Sequence, residues 1–190
     1  MNEKVMIFVD GSNLLRGVGQ EIGKKIDSVK PNDDELHLSA MIVNTLWSRL
    51  SNDAFVGSVD GRVVRRYWFG SFVGGDQQEQ RIKKCLRKSN FEPVLFKKLK
   101  AKGKEKRVDI AIARELLINA SNRNMDIAIL VAGDEDYVDL VQDIKRYGVR
   151  ITGSFFERGT SPLLRLAVDY FHQLNIWGDG HKELVKKIKS

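Results

Sequence analysis

An α/β fold, with a mainly parallel sheet between two layers of helices, is predicted by three features of the sequence. The runs Val5–Val9 and Ile127–Ala132 are apolar without interruption. Polar alternation would mark a strand with one wet face, and its absence marks strands covered on both. Both runs end in acid: Val9 is followed by Asp10-Gly11-Ser12-Asn13, and Ala132 by Gly133-Asp134-Glu135-Asp136. Between them lie segments whose apolar residues recur at helical spacing, as the crossovers of a parallel sheet require.

Taken in order, the first strand leads into a short helix over Leu14–Gly19, then a polar loop from Glu21 to Asp34 that contains Pro31. Leu38, Met41, Ile42, Thr45, Leu46 and Leu50 fall at helical spacing within Glu35–Leu50. Ser51–Gly61 reads as a loop before a second strand, Arg62–Gly70, whose tip Ser71-Phe72-Val73-Gly74-Gly75 reads as mobile. Asp76–Ser89 is a charged helix with Ile82, Cys85 and Leu86 inward, and Pro93–Phe96 a third strand. The basic stretch Lys97–Arg107 precedes a strongly apolar helix over Val108–Ile118 that carries Asp109 in its first turn. After the fourth strand, Ile127–Ala132, come a helix over Tyr137–Tyr147 and a fifth strand over Gly148–Phe155. Ser161-Pro162 suits a helix start, Ser as cap and Pro at the first position. Its expected apolar stripe is Leu163, Leu166, Ala167, Tyr170 and Phe171.

The chain reads as one domain over 1–176 followed by a basic tail over 177–190. With 190 residues and 42% hydrophobic composition it can bury a core without staples. One cysteine, Cys85, excludes an internal disulfide, and three dispersed histidines offer no zinc pattern. These features point to a reducing cytoplasm, with no signal peptide and no membrane span. The formal net charge of +7 favours a polyanionic partner. No GxxxxGK[ST] or GxGxxG occurs, so no nucleotide cofactor is implied.

Ligands of open α/β sheets sit beyond the carboxyl ends of the strands, near the point where strand order reverses. If the first and fourth strands are neighbours, Asp10 meets the Asp134/Asp136 pair there. Crowded carboxylates stay ionised together only if a cation offsets them, and oxygen ligands suit Mg²⁺ or Mn²⁺. An acid in the first turn of a helix can also simply complement the helix dipole, for Asp109 as for Glu135.

Three motifs in this order, Val-Asp-Gly-Ser-Asn at 9–13, Lys106-Arg107-Val108-Asp109-Ile110, and Val131-Ala132-Gly133-Asp134-Glu135-Asp136-Tyr137 followed by Gly148-Val149-Arg150-Ile151, resemble the NYN domain family. That group of PIN-like ribonucleases includes the LabA-like bacterial proteins. The resemblance runs from about Val5 to Leu174 and implies a PIN-like three-layer α/β/α fold with a metal-dependent nuclease site acting on RNA. It carries the catalytic set onto Asp10, Asn13, Asp109, Asp134 and Asp136, with the four aspartates as metal ligands. Arg107 stands where the family often has a small residue, and Glu115 where it commonly has Asp, which makes Glu115 a secondary acid.

Hydrolysing a phosphodiester means aligning a water with the leaving oxygen and neutralising the charge that builds on the phosphoryl group, work that one or two divalent ions perform. Asp10 and Asp134 are the expected principal ligands, with Asp136 and Asp109 completing the cluster and Asn13 orienting a phosphate or a water. Substrate contacts are expected from Ser12, Arg65, Lys104, Lys106 and Arg107; Ser12 reads equally well as a turn hydroxyl, and the basic run as a solvated loop. Tyr67, Trp68 and Phe69 read as sheet core before they read as base-stacking surfaces. The last helix and tail suit a homodimer surface or an added basic contact. Aspartyl-nucleophile phosphatases need Asp-x-Asp after the first strand, and Asp10-Gly11-Ser12 fails that pattern. An adhesion-type metal module needs Asp-x-Ser-x-Ser, and residue 14 is leucine. The remaining alternative is a catalytically weak RNA-binding regulatory module of the same fold.

Overall fold

The computed structural model describes residues 3–50, 61–99, 106–176 and 180–190. A six-stranded, wholly parallel sheet runs through the molecule: β1 (Glu3–Asp10), β2 (Gly61–Phe72), β3 (Glu92–Lys97), β4 (Ile127–Val131), β5 (Arg150–Phe155) and β6 (Tyr170–Gln173), in the order β3-β2-β1-β4-β5-β6. Strand order therefore reverses between β1 and β4, the two central strands. Their register sets Val9 opposite Val131, so Asp10 stands level with Ala132.

The two apolar runs explain the layering. Successive side chains of a strand point to opposite faces. Val5, Ile7 and Val9 join Ile127, Ile129 and Val131 in one core; Met6 and Phe8 join Ala128, Leu130 and Ala132 in the other. The first core is closed by α1 (Gly11–Ile22), α2 (Asp33–Leu50), α3 (Asp76–Lys88) and α7 (Lys182–Lys189) through Leu14, Val18, Leu38, Leu86 and Ile188. The second is closed by α4 (Lys106–Ser121), α5 (Val138–Arg146) and α6 (Pro162–Ala167) through Val108, Ile112, Ile144 and Leu164. Tyr67 packs its ring on Phe8 and Phe69, while Trp68 and Phe69 are buried, so all three serve the sheet.

Several elements depart from the sequence expectation. The first helix is longer than Leu14–Gly19, because Asp10 itself caps it by accepting from the Asn13 N–H, and Gly23, at φ 70°, closes its far end. The tip expected to be mobile is strand as far as Phe72, whose ring is buried, and the Val73 N–H donates to the Val29 carbonyl at 3.0 Å. Tyr170 and Phe171 are not on a helix. The Ser161 hydroxyl starts α6 as expected, but Val168 is extended and Asp169 exchanges two hydrogen bonds with Ile151, so the chain leaves as a sixth strand. Leu164 and Val168 consequently face the core, while Leu163 and Leu166 are 53% and 81% exposed. The basic tail folds back as α7, with Val185 and Ile188 buried and the His181 ring 3.3 Å from the Thr45 hydroxyl. Most of the loop expected over Ser51–Gly61 and the middle of the Lys97–Arg107 stretch lie outside the described residues. No described helix is long and apolar enough to cross a membrane.

Candidate functional site

At the carboxyl ends of β1 and β4 the strand order leaves a crevice, and the two acid-bearing turns meet across it. Each turn carries a glycine because there is no room for a side chain. A Cβ on Gly11 would come within 2.1 Å of the Trp68 indole nitrogen, and one on Gly133 within 2.2 Å of the Gly159 carbonyl oxygen. Asn13 ties the turns together: its backbone N–H donates to Asp10 Oδ1 at 2.9 Å, and its side-chain oxygen accepts the Gly133 N–H at 3.0 Å. That oxygen is spent on the scaffold. Through that oxygen Asn13 holds the two turns together, a scaffold role beside the expected one of orienting a phosphate or a water.

Asp10 is almost wholly buried, and both of its oxygens are engaged. Oδ2 accepts from the Tyr137 hydroxyl at 3.0 Å, and the same hydroxyl lies 3.4 Å from Asp109 Oδ1. One phenol proton is thus shared between carboxylates from β1 and from the first turn of α4. Burial pushes the Asp10 acid up from 3.8 to about 6; the Asn13 N–H, the Tyr137 hydroxyl and the Arg16 charge pull it down, and Asp109 adds a smaller upward push. Burial, then the Asp10 and Asp109 charges, drives the Tyr137 phenol far above its ordinary value, so it remains a proton donor.

The other predicted site residues are spread wider. Asp134 is exposed and lines a pocket with Asn13, and Asp136 is exposed within the 3₁₀ turn Glu135–Tyr137. Among the described residues no three acids, histidines or cysteines form one metal-holding group. The register gives the reason the four aspartates do not converge: Asp10 is level with Ala132, so Asp134 is two residues further out, roughly 7 Å along an extended chain. Ser12 is 1% exposed and its hydroxyl makes no hydrogen bond, which leaves it neither a cap nor a reachable contact. Arg65 pairs with Glu92 at 2.7 Å and lies beside Met6, four residues back from the Asp10 end of β1. Arg107 lies over the Phe96 ring, 4.9 Å from its centroid. Lys104 and the Lys106 side chain lie outside the described residues. Glu115 accepts from Asn119 at 3.1 Å and from the Tyr67 hydroxyl, away from the crevice.

Sequence reasoning missed Tyr137, taken only as the start of a helix, and Arg16. Periodicity places Arg16 once the helix bounds are known, three residues after Asn13 and hence on the same side of α1. Tyr137, in the 3₁₀ turn, reaches Asp10 and Asp109 only through the tertiary fold.

The donor set suits a hard cation. Asp10 and Asp109 both reach one hydroxyl, which puts two carboxylate oxygens within the span of a single small ligand, and Mg²⁺ is commonly held by one or two carboxylates with waters and substrate phosphates supplying the rest. A cation there would offset the cost of ionising buried Asp10.

The NYN domain family model matches residues 4–175. Among solved structures, a protein of unknown function, VPA0982 from Vibrio parahaemolyticus RIMD 2210633, is similar to this chain over 92% of its length and 94% of that chain, with 21% identity and a TM-score of 0.63. That likeness shows a shared fold. No curated protein matches the chain.

Proposed function

The chain belongs to the NYN domain family, and from that premise we propose that it is a divalent-metal-dependent ribonuclease that hydrolyses phosphodiester bonds of single-stranded RNA in the crevice between β1 and β4. The observation that carries the reading is the pair of carboxylates, Asp10 and Asp109, gathered on one phenol hydroxyl at the point where strand order reverses. The Arg16 charge favours ionised Asp10, while burial and the Asp109 carboxylate oppose it, a costly arrangement that catalytic and metal-binding sites adopt.

Asp10 and Asp109 would hold Mg²⁺ or Mn²⁺, with Asp134 and Asp136 at the mouth. A cation so held supplies charge neutralisation at the phosphoryl oxygens and a water acidic enough to attack near neutral pH. Asn13 keeps the two strand ends at fixed separation. Tyr137 holds the Asp10 carboxylate in one orientation through a hydrogen bond that does not titrate away. Asp134, exposed beside the crevice, is free of any scaffold bond that its replacement would break.

End-labelled single-stranded RNA incubated with Mn²⁺, with Mg²⁺ and with chelator tests the reading. Cleavage should require metal, and Asp109→Asn and Asp134→Asn, purified identically, should each lose roughly 100-fold or more in rate, the scale of removing one transition-state charge stabiliser. RNA bound but uncut under both metals would replace the nuclease with the RNA-binding regulatory module. Equal cutting by wild type and variants would assign the activity to a contaminant.

A further inference from the structure

At the turn that carries Asp134 the surface opens into a pocket of about 440 Å³, within the range of small-ligand sites, and its lining residues Asn13 and Arg16 connect it to Asp10. One wall is the exposed side of α1, where Asn13, Arg16 and Gln20 follow one another at helical spacing. A second is the turn Gly133–Glu135, which brings Asp134. The third is the loop after β5, Gly159–Ser161, over a floor made by the Phe155 ring. These walls are bonded to one another. The Ser161 N–H donates to the Gly133 carbonyl at 2.8 Å, the Ser161 hydroxyl to Glu135 at 3.1 Å, and the Thr160 hydroxyl to the Phe156 carbonyl at 2.6 Å. The pocket is therefore formed before anything enters it, and its ligand meets little ordering cost.

Arg16 and Gln20 also line a second cavity, of about 790 Å³, that continues along α1 to Lys24 and Lys25. Lys24 donates to the Ile188 carbonyl, which leaves Lys25 as the exposed cation at the outer end. Arg16 and Gln20 on α1 and Lys25 just past its end thus set cation, amide and cation in line, leading away from the Asp10 end of the helix. A phosphodiester strand held through a cation at Asp10 and Asp109 would meet the Arg16 guanidinium, an amide able to pair with a base edge, and a further charge for the next phosphate.

We infer that this pocket seats one unpaired nucleotide adjoining the scissile phosphate, with Arg16 on its phosphate and Gln20 on its base, and that the RNA strand continues over Lys25. The inference rests on the ribonuclease reading and gives its preference for unpaired RNA a structural cause. A base inside a duplex cannot enter a pocket walled on three sides; a base splayed from a single strand can. It adds the outer side of α1 to the substrate contacts expected from the basic stretch and Arg65.

The test is fluorescence anisotropy in excess chelator, where binding is read without cleavage. The probes are a labelled single-stranded RNA 12-mer and the same strand annealed to its complement, titrated at several salt concentrations. Wild type should bind the single strand at least about tenfold more tightly than the duplex. Arg16→Gln should weaken binding about tenfold and lower the salt slope by about one, whereas Gln20→Ala should weaken it without changing the slope. Lys25→Gln should lower the slope, and Arg146→Gln, at the far end of α5, should change neither quantity. All four side chains are exposed, and equal melting temperatures will verify the folds. Duplex bound as tightly as single strand, or Arg16→Gln and Gln20→Ala binding like wild type, overturns the pocket, as does a wild type that does not bind in chelator. If wild type still cleaves with metal in those cases, the nuclease reading stands and the pocket alone falls; if it neither binds nor cleaves, both fall.

Discussion

Asp10 holds three tasks at once: it ends β1, caps α1 and carries half of the acid pair. The combination is costly, because the carboxylate is buried and beside a second acid. Its effect on stability has a definite sign. The folded acid titrates near 6 and the unfolded one near 3.8, so between those values the folded state holds the extra proton, and stability falls as pH rises through the window. About two pH units at roughly 1.4 kcal/mol each gives a penalty on the order of 3 kcal/mol above pH 6 in the absence of a cation. Asp10→Asn keeps a competent helix cap and removes the charge. In urea denaturation under chelator the variant is expected to be more stable than wild type at pH 8 by up to that amount, with the gain shrinking toward zero at pH 4. A gain that grows as pH falls would contradict the burial argument. Activity should be lost in the same variant, stability and function pulling in opposite directions at one side chain.

The turns after β1 and β4 hold the site because their glycines let two layers of backbone close over it. Gly133 is the more demanding, since a Cβ there would meet a backbone oxygen at 2.2 Å, whereas the backbone oxygen facing Gly11 would lie at 2.8 Å. Gly133→Ala should therefore cost more than the usual 1–3 kcal/mol of overpacking, or else push the Gly159–Ser161 loop outward. Thermal melting together with RNA cleavage will read both: the expected result is a lower melting temperature and a large loss of rate. A variant with wild-type melting and rate would show that the loop yields freely. α6 and β6 teach a different lesson about local pattern. Leu163, Leu166, Tyr170 and Phe171 fit one helical stripe, yet the helix ends at Ala167, because pairing with β5 satisfies the backbone from Tyr170 onward while a continued helix would leave the edge of β5 open.

The molecule as a whole is a doubly wound sheet whose reversal point lies where β1 and β4 end in their acid-bearing turns. The net charge of +7 favours approach of a polyanion, and among the described residues that line the pocket beside the crevice Arg16 is the cation. A cation that binds the folded chain and not the unfolded one stabilises every element together. At a Mn²⁺ concentration about 100 times its dissociation constant the gain is about 2.7 kcal/mol, which for a chain of this length is roughly 5 to 10 °C in melting temperature. Scanning wild type with and without Mn²⁺ should show a shift of that size, much reduced in Asp109→Asn. No shift at millimolar Mn²⁺ would remove the resident cation from the mechanism.

The fold class, five of the six strands and the two acid-bearing turns were legible in the chain, because a strand buried on both faces must be apolar throughout and a turn without room must be glycine. Local pattern also carried Asp10, Asp109 and Asp134 as candidates, and the inward faces of the helices around Leu38 and Ile82. Tertiary structure decided the rest. The alignment of Asp10 with Ala132 sets Asp134 two residues beyond the buried acid, and no sequence spacing records a register between strands whose paired residues lie 122 positions apart. The Tyr137 hydroxyl between Asp10 and Asp109 joins three separate elements, and the pocket along Arg16 and Gln20 exists only where α1 meets the turn after β4 and the loop after β5. Apolar period and turn chemistry act over a few residues and can be read from one chain; contacts between distant segments depend on how those elements pack, and packing alone brought them together.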